Sequence, residues 1–330
     1  MNIAHTVFDT PIHELTVPVE NYEYNGNKFY IKRDDLQPFS FGGNKVRIAQ
    51  KVILDMQAKG KDCLITYGNI RSNLCRTTSN FCRALNIPCY VISVLDDDHG
   101  CTKAFNGSMV RSFGATVVTC LKADVPEVVA KLKAELVAKG LNPYYIKDDE
   151  AEVASCRAYI DTYGEIDRYQ IDTGCHFDYI FQASGSGTTQ AGMVIGKLLS
   201  PHYGQAGLPD PKIVGISIAR AYQRGVDMLN LHLDRVFKDM GITVDGEKIA
   251  KEILFTDEYV LGGYSLSNED VDNICTNMVK YNGIECDQTY TGKAFNGMLN
   301  YIKDKGIKNS NILFIHTGGL PLFFDYLRDK

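Results

Sequence analysis

Short apolar runs of strand length alternate with helix-length segments from residue 28 to residue 318, and this alternation leaves few architectures open to the chain. KFYIKRD (28–34) reads as a strand, and NKVRIAQKVILDMQAKG (44–60) as a helix with Val46, Ala49, Ile53 and Met56 on one face and Gly60 as its stop. The strand pattern returns in CLITYG (63–68), CYVISVL (89–95), 115–119, 143–146, DYIFQAS (178–184), KIVGISI (212–218) and NILFIHTG (311–318). Helical spacing fills 72–86, 102–113, 125–139, about 150–163 and 188–199, with two more helical stretches between 218 and 311. Strands joined through helices pair in parallel and are covered on both faces. A less regular stretch holding Gly and Asp, 164–177, interrupts the pattern. The expectation is an α/β protein of two three-layer α/β/α lobes, with ligands beyond the carboxyl ends of the strands.

Composition excludes several classes. A hydrophobic fraction of 45% with 23% charged residues is that of an ordinary globular chain. A net charge of −5, with acids and bases interspersed, gives no basic field for nucleic acid. The densest charge run, DDDHG (96–100), reads as a solvated loop. No apolar run approaches the roughly 20 residues a bilayer requires, and MNIAHTVFDTPIHEL has no signal-peptide pattern, so the expected location is the cytoplasm. None of the ten cysteines is spaced as CxxC; Cys75, Cys82 and Cys89 stand seven apart, the first two on one helix face, where free cysteine acts as a small hydrophobe. No metal site is expected.

Glycine-rich polar stretches follow several strands: FGGNK (41–45), YGNIRSN (67–73), ASGSGTTQAG (183–192), LGGYS (261–265) and HTGGLP (316–321). In the third, Gly185, Ser186, Gly187, Thr188 and Thr189 offer close-packed N–H groups and three hydroxyls at the mouth of a helix, a cup suited to a phosphate. A P-loop would need Lys and then Ser or Thr after the last glycine, where Met193 stands; a dinucleotide loop would need glycine at Gln190. A strand-to-helix turn without a ligand remains open. Lys45 falls in the first turn of a helix, whose dipole disfavours an ammonium, as burial also would. A neutral amine can condense with an aldehyde, and with a monophosphate cup it suggests pyridoxal 5′-phosphate, with Gly42 and Gly43 letting the backbone pass close to the cofactor ring.

KRDDLQPFSFGGNKVR, YGNIRSNLCRTT, ASGSGTTQAGM, GGYSLSNED, TYTGKAFNG and FIHTGGLPLFF, in this order, resemble the D-cysteine desulfhydrase and 1-aminocyclopropane-1-carboxylate deaminase family. The match runs from about residue 8 to 326. It implies the tryptophan synthase β-like fold of pyridoxal-phosphate enzymes, with a large cofactor-binding lobe from residues 1–49 and 161–330, a small lobe from 50–160, and a homodimer. Lys45 then corresponds to the Schiff-base lysine. Ser72 corresponds to the serine that contacts the substrate carboxylate or Cα proton, and Asn73 to the asparagine on the ring 3′-oxygen. Tyr264 and Tyr290 resemble the two active-site tyrosines, residues 185–189 the phosphate cup, and Thr317 the residue at the pyridine nitrogen. Ser72 also reads as a helix N-cap, and Thr317 as a residue satisfying a backbone group.

The deaminase branch has glutamate after the second tyrosine and leucine in the last motif, where this chain has Thr291 and Thr317. Hydroxyls do not hold a proton on the ring nitrogen as a carboxylate would, which weakens the electron sink and favours prompt loss of a β substituent. The expected activity is therefore β-elimination from a small amino acid such as D-cysteine, with cyclopropane deamination or β-replacement as alternatives. Arg71, Leu74 and KDDEAEVAS (147–155) depart from the family pattern near the expected substrate pocket, and Thr188 replaces a glycine of the cup.

Overall fold

The computed structural model describes residues 2–15, 22–95, 103–205, 208 and 210–329. In chain order its elements are β1 (Ile12–Glu14), β2 (Lys28–Arg33), α1 (Asn44–Ala58), β3 (Cys63–Gly68), α2 (Asn73–Leu85), β4 (Cys89–Val94), α3 (Phe105–Ser112) and β5 (Thr116–Cys120). There follow α4 (Val125–Ala138), β6 (Pro143–Tyr145), α5 (Asp149–Thr173), β7 (Tyr179–Ser184), α6 (Thr188–Leu199) and β8 (Lys212–Ser217). The chain closes with α7 (Tyr222–Met240), α8 (Gly246–Glu252), β9 (Leu254–Thr256), α9 (Glu269–Asn282), α10 (Thr291–Asp304), β10 (Asn311–His316) and α11 (Leu320–Asp329).

Two sheets result. One runs β1-β2-β10-β7-β8-β9, parallel except for β1; the other runs β5-β4-β3-β6, parallel throughout. Side-chain alternation fills both faces of each sheet. Ile312 and Phe314 of β10 pack with Phe295 and Met298 of α10, whereas Leu313 and Ile315 join Met193 and Val194 of α6 and Tyr159 of α5. In the smaller sheet Cys63 and Ile65 of β3 face Leu132 and Leu136 of α4, and Leu64 faces Val52 and Met56 of α1. One apolar cluster, running through α1, α5 and α6, touches both sheets.

The stretch 164–177, expected to be irregular, is mostly helix: α5 continues for 25 residues to Thr173 and is stopped by Gly174 in the left-handed conformation. Gly164 alone does not break it, because an interior glycine costs only about 1 kcal/mol and the buried positions Tyr159, Thr162, Tyr163, Ile166 and Gln170 keep helical spacing. Between residues 218 and 311 there are four helices and β9, not two helical stretches. The three-residue strands β1 and β9 are too short to show a period of two. DDDHG (96–100) lies outside the described residues. Every described cysteine is free.

A buried ion network clamps α1 to β2 and α5. Arg47 donates to both oxygens of Glu165 (2.5 and 2.9 Å) and to Asp34 (2.9 Å), and Lys32 donates to Glu165 (2.6 Å). Tyr159 Oη donates to the other Asp34 oxygen at 2.6 Å. Two cations face two anions with almost no solvent access, so removal of one partner leaves an uncompensated buried charge. Glu165→Gln should destabilise the protein by about 3 kcal/mol or more in urea unfolding at pH 7. A loss below about 1 kcal/mol, the surface-pair value, would show that the network does not clamp the helix. Burial would raise the Asp34 carboxyl, but the Arg47 and Lys32 cations hold it below the usual range. Its stabilisation is thus complete above the unfolded value of about 4 and fades as pH falls through the folded value.

Candidate active site

FGGNK follows β2, YGNIRSN closes β3, ASGSGTTQAG closes β7 and HTGGLP closes β10, all at carboxyl ends of parallel strands. Lys45 is the second residue of α1. Before it, Ser40, Phe41, Gly42 and Gly43 all have positive φ, at 50°, 59°, 70° and 96°. A Cβ on Gly42 would lie 1.8 Å from the Asp35 carbonyl oxygen, and one on Gly43 would lie 2.8 Å from that of Thr317. Both glycines thus let this loop pack closely against protein backbone. The Asn44 amide donates to the Thr317 carbonyl at 3.0 Å, and Asn44 Nδ2 donates to Thr189 Oγ1 at 3.3 Å. The residue before Lys45 thus joins the starts of α1 and α6 to the Thr317 loop.

Burial, and then the positive charge of Lys147, push the Lys45 amine down to about 8. Burial brings Lys293 down to about 8 as well, against the opposing pull of Asp287. The two differ in hydrogen bonding. Lys293 Nζ donates to the Val260 carbonyl at 3.1 Å and the Gly263 carbonyl at 2.6 Å, whereas Lys45 Nζ has no hydrogen-bond partner among the described residues. Lys45 is the amine free to react; Lys293 anchors the loop that carries Tyr264.

Gly185, Ser186 and Gly187 join β7 to α6, with Gly187 at φ 88°, and Thr188 and Thr189 open the helix. The backbone N–H groups of Ser186 and Gly187 donate to nothing among the described residues, and Gly187 is buried. Ser186 Oγ and Thr188 Oγ1 lie 3.1 Å apart. Ser72 is the N-cap of α2, accepting from the Cys75 amide at 3.1 Å. Asn73 Oδ1 accepts from Asn106 Nδ2 at 2.9 Å, and Asn106 also donates to the Arg71 carbonyl at 2.8 Å. Asn73 is left with its Nδ2 as the outward donor.

The Tyr264 and Tyr290 hydroxyls are 2.6 Å apart with their rings edge-on. Burial raises Tyr264 to about 12 and Tyr290 well above an ordinary phenol, so both keep their protons at neutral pH. Tyr264 also hydrogen bonds the Asn69 side chain, which ties the loop after β3 to it.

Sequence reasoning missed Asp287, whose two oxygens accept the amides of Thr289, Tyr290 and Thr291 at 2.8 to 3.2 Å and fix the start of α10. The signal was Asp287 four residues before Thr291, a cap pattern at a helix start. The Thr291 hydroxyl donates to Asp287 at 2.9 Å and accepts from its amide at 2.9 Å, so its lone pair and proton serve the cap and not a ligand. A Cβ on Gly319 would lie 2.2 Å from Asp287 Oδ2. A continuous string of contacts therefore runs from Asn69 through Tyr264, Tyr290, Asp287, the Thr317–Gly319 loop and Asn44 to Thr189. Asp35, Glu285 and His316 also gather their polar atoms within 4.8 Å, but Arg33 grips Asp35 through two nitrogens and His316 donates to the Glu285 carbonyl. A cavity of about 580 Å³ lined by Ser40, Phe41, Asn80 and Met109 includes Gly42 but none of the other site residues expected from the sequence.

Residues 3–318 match the family described as pyridoxal-phosphate dependent enzyme. The chain belongs to that family. A solved ACC deaminase homologue is similar over 98% of this chain and 93% of its own, with 27% identity and a TM-score of 0.82. A hydrogen sulfide-producing enzyme from Fusobacterium nucleatum (17% identity, 97% and 98% covered, TM-score 0.65) and a cysteine synthase from Entamoeba histolytica (15%, 96% and 87%, 0.63) share the fold. The protein thus has the tryptophan synthase β-like α/β fold, and its cofactor is pyridoxal phosphate. The chain offers what that group needs: a deprotonatable amine without a partner, and unpaired N–H groups with two hydroxyls at a helix start. Among the described residues no helix is long and apolar enough to cross a membrane.

Borohydride reduction of the purified protein should fix the pyridoxyl group on the peptide containing Lys45. Condensation of apoprotein with pyridoxal phosphate should accelerate as pH rises through about 8, where the amine loses its proton. Label on Lys293, or a rate insensitive to pH from 6.5 to 9.5, would contradict the assignment.

Proposed function

We propose that this pyridoxal-phosphate enzyme is a lyase that removes a β substituent from a small amino acid, with D-cysteine plus water giving pyruvate, ammonia and sulfide. The observation that carries this reading is the neutral Tyr264–Tyr290 hydroxyl pair, 2.6 Å apart, on the contact string that includes Asn44, the residue before Lys45. The bound cofactor supplies an electrophilic aldehyde and an electron sink. The proposed site is Lys45, Ser72, Asn73, residues 185–189, Tyr264, Tyr290 and Thr317. Lys45, neutral in a sizeable fraction of molecules near pH 8, or Ser72 takes the Cα proton. Asn73 Nδ2 and the cup N–H groups orient the cofactor. A phenol held near 12 keeps its proton against a departing thiolate, so Tyr264 donates a hydrogen bond to the leaving sulfur without transferring the proton. A good leaving group needs no more; a cyclopropane carbon does.

Thr291 no longer contributes to this choice of reaction, because its hydroxyl is committed to Asp287. The preference for elimination rests on the tyrosine pair and on the absence of a carboxylate at 291 and 317. The 27% identity to the ACC deaminase homologue keeps cyclopropane deamination as the second reading. The large lobe of residues 1–49 and 161–330, the small lobe of 50–160, a homodimer and a cytoplasmic location complete the proposal.

The test is keto-acid and sulfide release from D- and L-cysteine, cysteate, β-chloroalanine and 1-aminocyclopropane-1-carboxylate. Cysteate belongs in the panel because Arg71, beside Ser72, forms no ion pair with a described carboxylate. Turnover of cysteine or β-chloroalanine with none of the cyclopropane acid is the expected outcome. Efficient opening of the cyclopropane acid transfers the assignment to the deaminase reading, and keto acid formed only with an added thiol would give it to a β-replacement synthase. Tyr264→Phe should lower kcat for cysteine by about tenfold to a hundredfold with cofactor affinity unchanged; an equal kcat would remove Tyr264 from the reaction.

A further inference from the structure

Two carbonyl groups of the 185–189 loop are held from behind by side chains with no role assigned so far. Arg220 Nε donates to the Gly185 carbonyl at 2.6 Å, and His232 Nε2 donates to the Ser186 carbonyl at 3.0 Å. A trans peptide points its N–H opposite to its C=O, and no peptide bond among the described residues is cis. The N–H groups of Ser186 and Gly187, which share those two peptide planes, therefore point away from Arg220 and His232, and they donate to no other described group. We infer that Arg220 and His232 are positioning residues that set the tilt of the two peptides and so aim the N–H groups at the cofactor phosphate. The inference rests on the pyridoxal-phosphate reading of this loop.

The supports of both residues fit that task. Arg220 leaves the carboxyl end of β8, next to β7 in the sheet, on a turn pinned at Ser217: Ser217 Oγ donates to the Arg220 carbonyl at 2.8 Å and accepts from its amide at 2.9 Å. No described carboxylate forms an ion pair with Arg220, so its guanidinium is free to grip the Gly185 carbonyl. His232 comes from α7 and is fully buried, with its other ring nitrogen 3.6 Å from Glu152, which Lys147 and Arg235 already hold. A carbonyl oxygen only accepts, so the proton sits on Nε2, and burial keeps the ring from gaining a second one. The Gly187 Cβ position lies 3.4 Å from His232 Cδ2, an ordinary contact; glycine is needed there for its φ of 88° and not for room.

Pyridoxal, which lacks the phosphate, separates aiming of the N–H groups from general support. For Arg220→Ala and His232→Leu, dissociation constants for pyridoxal 5′-phosphate and for pyridoxal are measured by absorbance titration of apoprotein, with Tm as the check on folding. The phosphorylated form should lose about tenfold or more in affinity while pyridoxal changes less than twofold. Arg220→Lys and His232→Gln, which keep a donor, should recover most of the loss. Equal losses for both aldehydes, or unchanged affinity for the phosphorylated one, would overturn the inference while leaving Lys45 as the cofactor lysine. Failure of the unaltered protein to bind either aldehyde at Lys45 would overturn the site reading with it.

Discussion

Much of the site depends on a close approach of backbone to backbone: the Gly42–Gly43 turn lies against Thr317–Gly319 with no space for a Cβ on Gly43 or Gly318. A Cβ on Gly318 would sit 2.5 Å from the Gly43 Cα, and one on Gly43 would sit 2.8 Å from the Thr317 oxygen. That approach allows the Asn44 amide to bond the Thr317 carbonyl, which sets where α1 begins and hence where Lys45 stands. The same loop carries Gly319 against Asp287, the cap of the helix that follows Tyr290. A side chain at any of these glycines would separate the reactive amine from the tyrosines. The glycines thus act through the protein's own geometry.

Rigidity behind this contact comes from charge. Arg47 is two residues after Lys45, and its guanidinium is locked between Asp34 and Glu165. α1 is therefore fixed at its first turn on one side by glycine packing and on the other by a buried ion network. Buried pairs of this kind add little net stability over apolar packing, but they make alternative registers of the helix costly. For a lysine proposed to reach a fixed aldehyde, register is the property that matters.

The fold was legible because its signal is periodic. Strands such as β10, with Ile312, Leu313, Phe314 and Ile315 buried on both faces, read as continuous apolar runs, and turns such as FGGNK mark strand ends by composition. α5 was read short because Gly164 and its acidic neighbours look like a break, whereas Tyr163 and Ile166 carry the buried face through it. The candidate site was legible where chemistry is local, in Lys45 and in residues 185–189. Residues that act across sequence distance left no such mark. Asn106 reaches Asn73 over 33 positions, and His232 reaches Ser186 over 46, and only the folded chain brings them together. Lys293 shows the converse: it shares a depressed pKa with Lys45, and only its two carbonyl partners show that it is an anchor.

Several departures from local consistency lie beside the same place. Ser40 and Phe41 adopt positive φ without being glycine, a conformation that strains an L-residue. Arg76 is 1% exposed with no carboxylate partner; it donates to Ser40 Oγ at 2.9 Å and Asn73 Oδ1 at 3.5 Å and lies 5.8 Å from the Phe41 ring, and burial lowers it to about 10. Its Nε and the Asn106 Oδ1 are buried without hydrogen bonds. Each feature opposes stability, and each touches a residue that leads to Lys45 or Asn73. The apolar cluster joining the two sheets offsets such strain elsewhere in the fold. Strain beside the residues that lead to Lys45 and Asn73 is what a chain retains when position there is worth more than stability.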